Sequence, residues 1–206
     1  MCKIVNKTIG GFDYEYKMDE QDRPLEIYRI KQDGTKKFVC SYEYYGDILK
    51  HYKREDGYES DREIVNGKVV RDYDNQGNEM KFKYDDRGNI IEKVINTQAR
   101  QETHYFEFDD LNRITRMQVE GGYTKTFTYH GNTEHIKHTE DSMGMEYDYY
   151  ENGRVKSHRD RTNGIAYSME YYQNSDIVKR YIDNKGNIIE YNEDGSVSNM
   201  TKPDDK

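Results

Sequence analysis

Tyr73-Asp74-Asn75-Gln76-Gly77-Asn78 and, eleven residues on, Tyr84-Asp85-Asp86-Arg87-Gly88-Asn89 spell one phrase twice, and Ile182-Asp183-Asn184-Lys185-Gly186-Asn187 spells it again with a different anchor. The phrase decides the fold because Asp-x-x-Gly has a direct backbone meaning. The Asp side chain caps a type I turn, and Gly supplies the positive φ that closes a bulged hairpin. Asp74 with Gly77, Asp85 with Gly88 and Asp183 with Gly186 are therefore structural turn residues. Looser copies begin at Phe108, Tyr129, Tyr149 and Tyr171. From Tyr84 onward the anchor aromatics recur every ~20 to 24 residues, the mark of a repeat architecture.

Between the turns the chain alternates. Tyr123-Thr124-Lys125-Thr126-Phe127-Thr128-Tyr129 sets aromatics and a lysine stem against three threonines, and Met145–Tyr149 and Ile165–Tyr171 repeat the pattern. Such period-2 segments are strands with one packed and one wet face. Residues 134–140 and 154–160 are less apolar and read as return strands. Asn66-Gly67 marks a two-residue hairpin, and Asp33-Gly34, Asp56-Gly57, Asn163-Gly164 and Asp194-Gly195 mark further turns. The expectation is an all-β chain of about a dozen strands, a twisted or curved antiparallel sheet or a partly wrapped one, built from successive hairpins. Residues 1–197 form a single repeat domain in this reading, irregular over 1–70 and regular over 71–197, with a disordered tail over 198–206. In the irregular part, Met18-Asp19-Glu20-Gln21-Asp22-Arg23-Pro24-Leu25 aligns with the phrase at Tyr84 but lacks its Gly and Asn.

Composition agrees. Charged residues make up 35% of the 206 and aliphatic residues are scarce, which alone would suggest disorder. Twenty-one tyrosines supply the missing apolar area through half-buried rings. Alanine occurs only twice and leucine three times, so helix formers are short. The net charge of −8 disfavours nucleic acid and anionic membrane and favours a basic partner, or simply keeps a Tyr-rich sheet dissolved. Cys2 and Cys40 are too few for a disulfide framework and read as free thiols. No apolar run is long enough for a spanning helix. A cytoplasmic protein is expected; the alternative is an outer-membrane lipoprotein in which Cys2 follows a removed signal.

At this spacing Tyr-Asp-x-x-Gly-Asn resembles the YD repeats of bacterial RHS proteins, closely over residues 70–192 and loosely over 12–57. The resemblance implies a bacterial chain whose hairpins follow one another into a coiling sheet. It does not imply the closed toxin shell or the self-cleavage of the large members, for which this chain is short and lacks the core-closing segment.

Chemistry-bearing patterns are thin. His130, His135 and His138 lie together, but two of them three apart in a strand point to opposite faces, so no metal site is expected. Asp183 to Glu190 places a lysine where a calcium loop wants oxygen. No Gly-x-Ser-x-Gly elbow, phosphate loop or Cys-His pair is present. The expectation is a non-enzymatic interaction module without cofactor, binding another protein. Since RHS-type systems deliver toxins, its most concrete form is an immunity protein that neutralises a basic toxin; a carbohydrate-binding or cell-surface module is the alternative. Candidate contact residues are Glu146, Tyr147, Asp148, Tyr149, Tyr167 and Tyr171, carboxylates for steering and rigid rings for area.

Overall fold

The computed structural model describes residues 2–203. These residues are all-β, with nineteen strands and no α-helix among them. The chain separates into two compact units, Met1–Thr103 and His104–Lys206. The first holds β1 (Lys3–Ile9), β2 (Phe12–Met18), β3 (Pro24–Ile30), β4 (Lys36–Tyr45), β5 (Ile48–Arg54), β6 (Glu59–Val65), β7 (Lys68–Asp74), β8 (Glu79–Tyr84) and β9 (Ile90–Asn96). β10 (Gln101–Phe108) leads into the second, with β11 (Ile114–Val119), β12 (Thr124–Tyr129), β13 (Ile136–Asp141), β14 (Met145–Tyr149), β15 (Val155–Asp160), β16 (Ile165–Tyr171), β17 (Val178–Asp183), β18 (Ile188–Tyr191) and β19 (Val197–Thr201). Within each unit every strand pairs antiparallel with the next, so the hairpin succession is as expected.

Nineteen strands exceed the dozen expected because the irregular opening folds by the same rule as the rest. Ser198–Thr201, expected in the tail, are instead the end of β19, with Asn199–Thr201 in register with Ile188–Glu190. Asp194-Gly195 makes the turn that returns the chain: Asp194 accepts the Ser196 amide at 2.9 Å and its hydroxyl at 2.6 Å. Asp204–Lys206 of that tail lie outside the described residues.

The turns show what each letter of the phrase does. Asp74 Oδ1 accepts the amides of Gln76 and Asn78, each at 2.9 Å, and Oδ2 accepts Asn78 Nδ2 at 2.8 Å. Asp183 does the same with Lys185 and Asn187. Asn at the sixth position is thus a second donor to the Asp, a role the turn argument did not assign. Gly88 sits at φ 95°, where a side chain would be strained. In the loose copy at Asp19 the positive φ falls on Asp22 (59°), and the sixth position is Arg23, whose Nε reaches Asp19 Oδ2 at 2.7 Å. The Gly and Asn are replaced there, and the turn survives.

A β-bulge precedes the anchor aromatic in strand after strand, between Lys83 and Tyr84, Thr128 and Tyr129, Asp148 and Tyr149, and Glu170 and Tyr171. Bulges bend a strand and re-aim its side chains. The phenols of Tyr84 and Tyr129 accordingly donate back to the carbonyls of Val69 and Ile114, each at 2.7 Å.

Side chains in register separate into two faces. In the second unit one row reads Phe127, Thr139, Tyr147, His158, Tyr167. The opposite face carries the row Thr128, His138, Asp148, Ser157, Ser168, Ile182. That face is also laced with ion pairs such as Arg116 with Glu107 and Arg161 with Glu140. Deep burial is rare: among described residues only Glu15, Cys40, Ile95, Thr139, His158 and Asp160 are buried, and just two of these are apolar. The apolar area is spread over half-buried rings rather than gathered in an aliphatic core.

Candidate functional site

The densest aromatic surface is built by β14 to β17. Tyr147 stands opposite His158 and His158 opposite Tyr167, because their strands pair in that register. Ring centroids are 4.4 Å apart for Tyr147 and His158, 5.0 Å for His158 and Tyr167, and 5.4 Å for Tyr167 and Tyr181. Tyr149 lies 6.2 Å from Tyr147 along the strand, since residues two apart share a face. His158 is 8% exposed, with Nδ1 3.3 Å from the Glu146 carbonyl. Burial holds the pKa of the Tyr167 and Tyr181 phenols above the ordinary tyrosine range.

Tyr147, Tyr149 and Tyr167 thus come together as the sequence suggests. Tyr171 lies further along, edge-on to Tyr150 at 6.1 Å, with the Arg154 guanidinium 5.4 Å above its ring. Two hollows of about 410 and 500 Å³ adjoin there, sharing Tyr171, Tyr172 and Gln173. The Tyr150 and Tyr172 phenols are tied to the carbonyls of Met169 (3.0 Å) and Tyr191 (2.6 Å), which fixes both rings.

Glu146 and Asp148 do not join this surface. They alternate with Tyr147 and Tyr149 on one strand and so project from the opposite face, where both are engaged. Glu146 pairs with Arg161 and lies 3.8 Å from Arg159, with its side chain 15% exposed. Asp148 accepts Ser157 Oγ at 2.7 Å and contacts His138 Nδ1 at 2.8 Å. Burial alone would raise its carboxyl, but these two hydrogen bonds and the imidazole outweigh it and hold the group below the usual aspartate range. Both carboxylates are therefore committed to cross-strand partners.

His158 and Tyr181 are the residues that sequence reading missed. The return strand at 154–160 reads as less apolar, and nothing within it signals that His158 is covered by rings on β14 and β16. The three clustered histidines go to separate partners: His130 to the Tyr149 carbonyl at 2.9 Å, His135 to the Glu151 carbonyl, and His138 to Asp148.

In the first unit the corresponding stacking is Tyr42 to Tyr52 at 5.1 Å and Tyr52 to Tyr58 at 6.2 Å. The buried Cys40 thiol donates to the Tyr42 hydroxyl at 3.4 Å. Burial, and then this bond, push the Tyr42 phenol well above its ordinary range.

No family model matches the chain. Over 90 residues, 44% of its length, it is 26% identical to the tRNA3(Ser)-specific nuclease WapA of Bacillus spizizenii, of which the matched stretch is 4%. Its fold is similar to part of the Photorhabdus luminescens Tc holotoxin pore, with a TM-score of 0.55, 10% identity, and coverage of 97% of this chain and 14% of that one. It is also similar to TcdB2-TccC3 without its hypervariable C-terminal region, with a TM-score of 0.51, 9% identity, and coverage of 98% of this chain and 16% of that one. The chain therefore spans a small fraction of the proteins it resembles. The likeness to the solved structures establishes a fold of the kind found in those parts of them.

Proposed function

We propose that the chain is a non-enzymatic, toxin-related protein-interaction module, and in its most concrete form an immunity protein that binds and neutralises a basic toxin. The observation that carries this is the rigid row Tyr147, His158, Tyr167, Tyr181 on a sheet face with few buried apolar groups. Rings already held in place lose little entropy on docking and suit the anchoring positions of an interface. The fold likeness to part of a Tc holotoxin pore supports a toxin context, and the sequence similarity is to part of a tRNA-specific nuclease. The net charge of −8 speeds encounter with a cationic partner, while Glu146 and Asp148 serve the sheet. In this reading the protein acts in the cytoplasm; a lipid-anchored form held at the outer membrane through the exposed Cys2 is the alternative.

The test is affinity capture of the tagged protein from lysate of its source organism, with mass spectrometry before and after a salt wash. A stoichiometric basic protein, lost at high salt and lost with Tyr167→Ala but kept with Asp148→Asn, supports the reading. Retention by Tyr167→Ala, or no partner at all, removes it.

The hollows around Tyr171 and Tyr172 favour a second reading, a carbohydrate-binding surface module. Fixed rings flanked by Asn152, Gln173 and Asn174 offer stacking beside amide donors. Retention on immobilised glycans that ignores salt and disappears with Tyr172→Ala would shift the weight to it.

A further inference from the structure

Arginine in this protein almost always has an acid beside it. Of the thirteen arginines, twelve have a carboxylate oxygen within 3.8 Å. Arg29 is the exception. Among the described residues its side chain makes no ion pair and no hydrogen bond, although forty carboxylates are present in the chain. Its guanidinium carbon lies instead 3.6 Å from the centroid of the Phe12 ring.

The neighbours explain why this is costly. Arg29 is in register with Tyr14 on one side and Lys37 on the other. Like charges directly opposite one another across a ladder are destabilising. The nearby acids are used elsewhere: Asp13 accepts the Thr8 hydroxyl at 2.6 Å, and Asp33 accepts the Thr35 amide and hydroxyl at 2.9 and 2.6 Å. Lys37 is taken by Glu55. Phe12, Asp13, Arg29, Lys31, Asp33 and Lys37 are among the residues lining a cavity of about 610 Å³, within the range of small-ligand sites, its three cations outnumbering its two carboxylates. Lys31 likewise carries no ion pair among the described residues.

We propose that this cavity binds a small organic oxyanion, a carboxylate or phosphate group attached to a flat or apolar body. Arg29 presents the donor fork, which matches either group in a bidentate manner. Lys31 supplies a second positive charge. Phe12, 47% exposed, backs the guanidinium and gives the apolar part of the ligand a surface. Binding supplies the counter-charge that Arg29 lacks, so it is strongest at low salt.

The experiment is a two-dimensional NMR titration of the full chain, following the Arg29 Nε–H and the amides of Gly11, Phe12 and Asp33. Inorganic phosphate, benzoate and the neutral analogue benzyl alcohol are added separately. Saturable shifts with either anion, weakened by salt and absent with benzyl alcohol, support the site. A preference for phosphate assigns it to phosphoryl ligands, and a preference for benzoate to carboxylates. Arg29→Gln lowers affinity at least ~10-fold, Arg29→Lys lowers it less, and Arg116→Gln leaves it unchanged. Unchanged amide shifts elsewhere show that each variant is folded, and Lys31→Gln, on an exposed turn, gives an independent loss. No saturable shift with either anion, equal response to benzyl alcohol, or undiminished binding by Arg29→Gln overturns the proposal.

Discussion

The same guanidinium device stands in both units, in different surroundings. In the first, Arg23 reaches Asp19 through Nε at 2.7 Å, donates to the Gly46 carbonyl and lies 4.2 Å over the Tyr44 ring. In the second, Arg113 reaches Asp109 at 2.7 Å, donates to the Gly131 carbonyl at 2.9 Å and lies 4.4 Å over Tyr129. Arg113 adds a bond to the Thr133 carbonyl at 2.5 Å and is 11% exposed, whereas Arg23 is 26% exposed. A second pair matches too: His51 with Asp61 and His138 with Asp148, both 2.8 Å across a ladder. The two units thus carry the same devices, and what differs between them at these positions is burial rather than geometry.

The largest test of that statement is Arg113→Ala against Arg23→Ala. Losing charge-assisted bonds from a shielded guanidinium costs about 3 kcal/mol, and losing the more solvated one about 1–2 kcal/mol. Urea denaturation measures both. Equal losses would mean that geometry alone sets the cost and that the difference in exposure is idle.

Next comes acid stability, where the units differ in their hubs. Glu79 of the first unit is drawn from an ordinary 4.5 down to about 2 by hydrogen bonds from Lys81 and Asn96 and then by Arg71. A carboxyl lowered in the folded state contributes stability that is complete above its unfolded value and is lost as pH falls through the folded one. The window here is therefore pH 4.5 down to about 2. Glu79→Gln should flatten the acid limb in that window, an effect of about 2 kcal/mol once solvent screening is allowed for. Asp148 of the second unit is lowered as well, yet its side chain is 50% exposed, so Asp148→Asn should flatten the limb less. Thermal melts from pH 2 to 6 distinguish the two; a larger effect at Asp148 would reverse the assignment.

Thr139 sharpens the comparison within the aromatic rows. Counting from the two His–Asp pairs, Thr139 occupies the place that Tyr52 holds in the first unit, between Phe127 and Tyr147. It is 2% exposed and its hydroxyl has no partner. Thr139→Val keeps the shape and removes the orphaned group, so a gain of about 1 kcal/mol is expected. A loss in calorimetry would show that the hydroxyl is satisfied in solution.

These cases also mark how far the sequence could be read. Asp74 and Gly77 declared their turn because one needs a side-chain acceptor and the other a positive φ, both local demands. The strands followed from alternation. Arg23 and Arg113 were opaque because their partners, Tyr44 and Tyr129, belong to the next hairpin. The site was half legible: Tyr147 and Tyr149 share a face by period 2, the same period puts Glu146 and Asp148 behind them, and Tyr167 joins the row only through the register of β15. His158 escaped notice because its burial comes from rings on the two flanking strands, which no local window contains.

The smallest expected effect bears on whether the loose copies are truly the same turn. Asp22 at φ 59° and Asn112 at φ 61° stand where the strict copies place Gly. A left-handed backbone strains an ordinary residue, and Gly relieves it at some cost in unfolded-state entropy. Asp22→Gly also loses an exposed pairing with Lys3 at 3.0 Å, worth a few tenths of a kcal/mol at most. The net change should be a gain of about 0.3–0.5 kcal/mol. Asn112→Gly should gain less, because asparagine tolerates this conformation better than most residues. If either substitution instead cost more than about 1 kcal/mol, that position would be doing something a glycine cannot. The descent of the irregular turns from the Gly-bearing phrase would then have to be argued from their Asp and Arg alone.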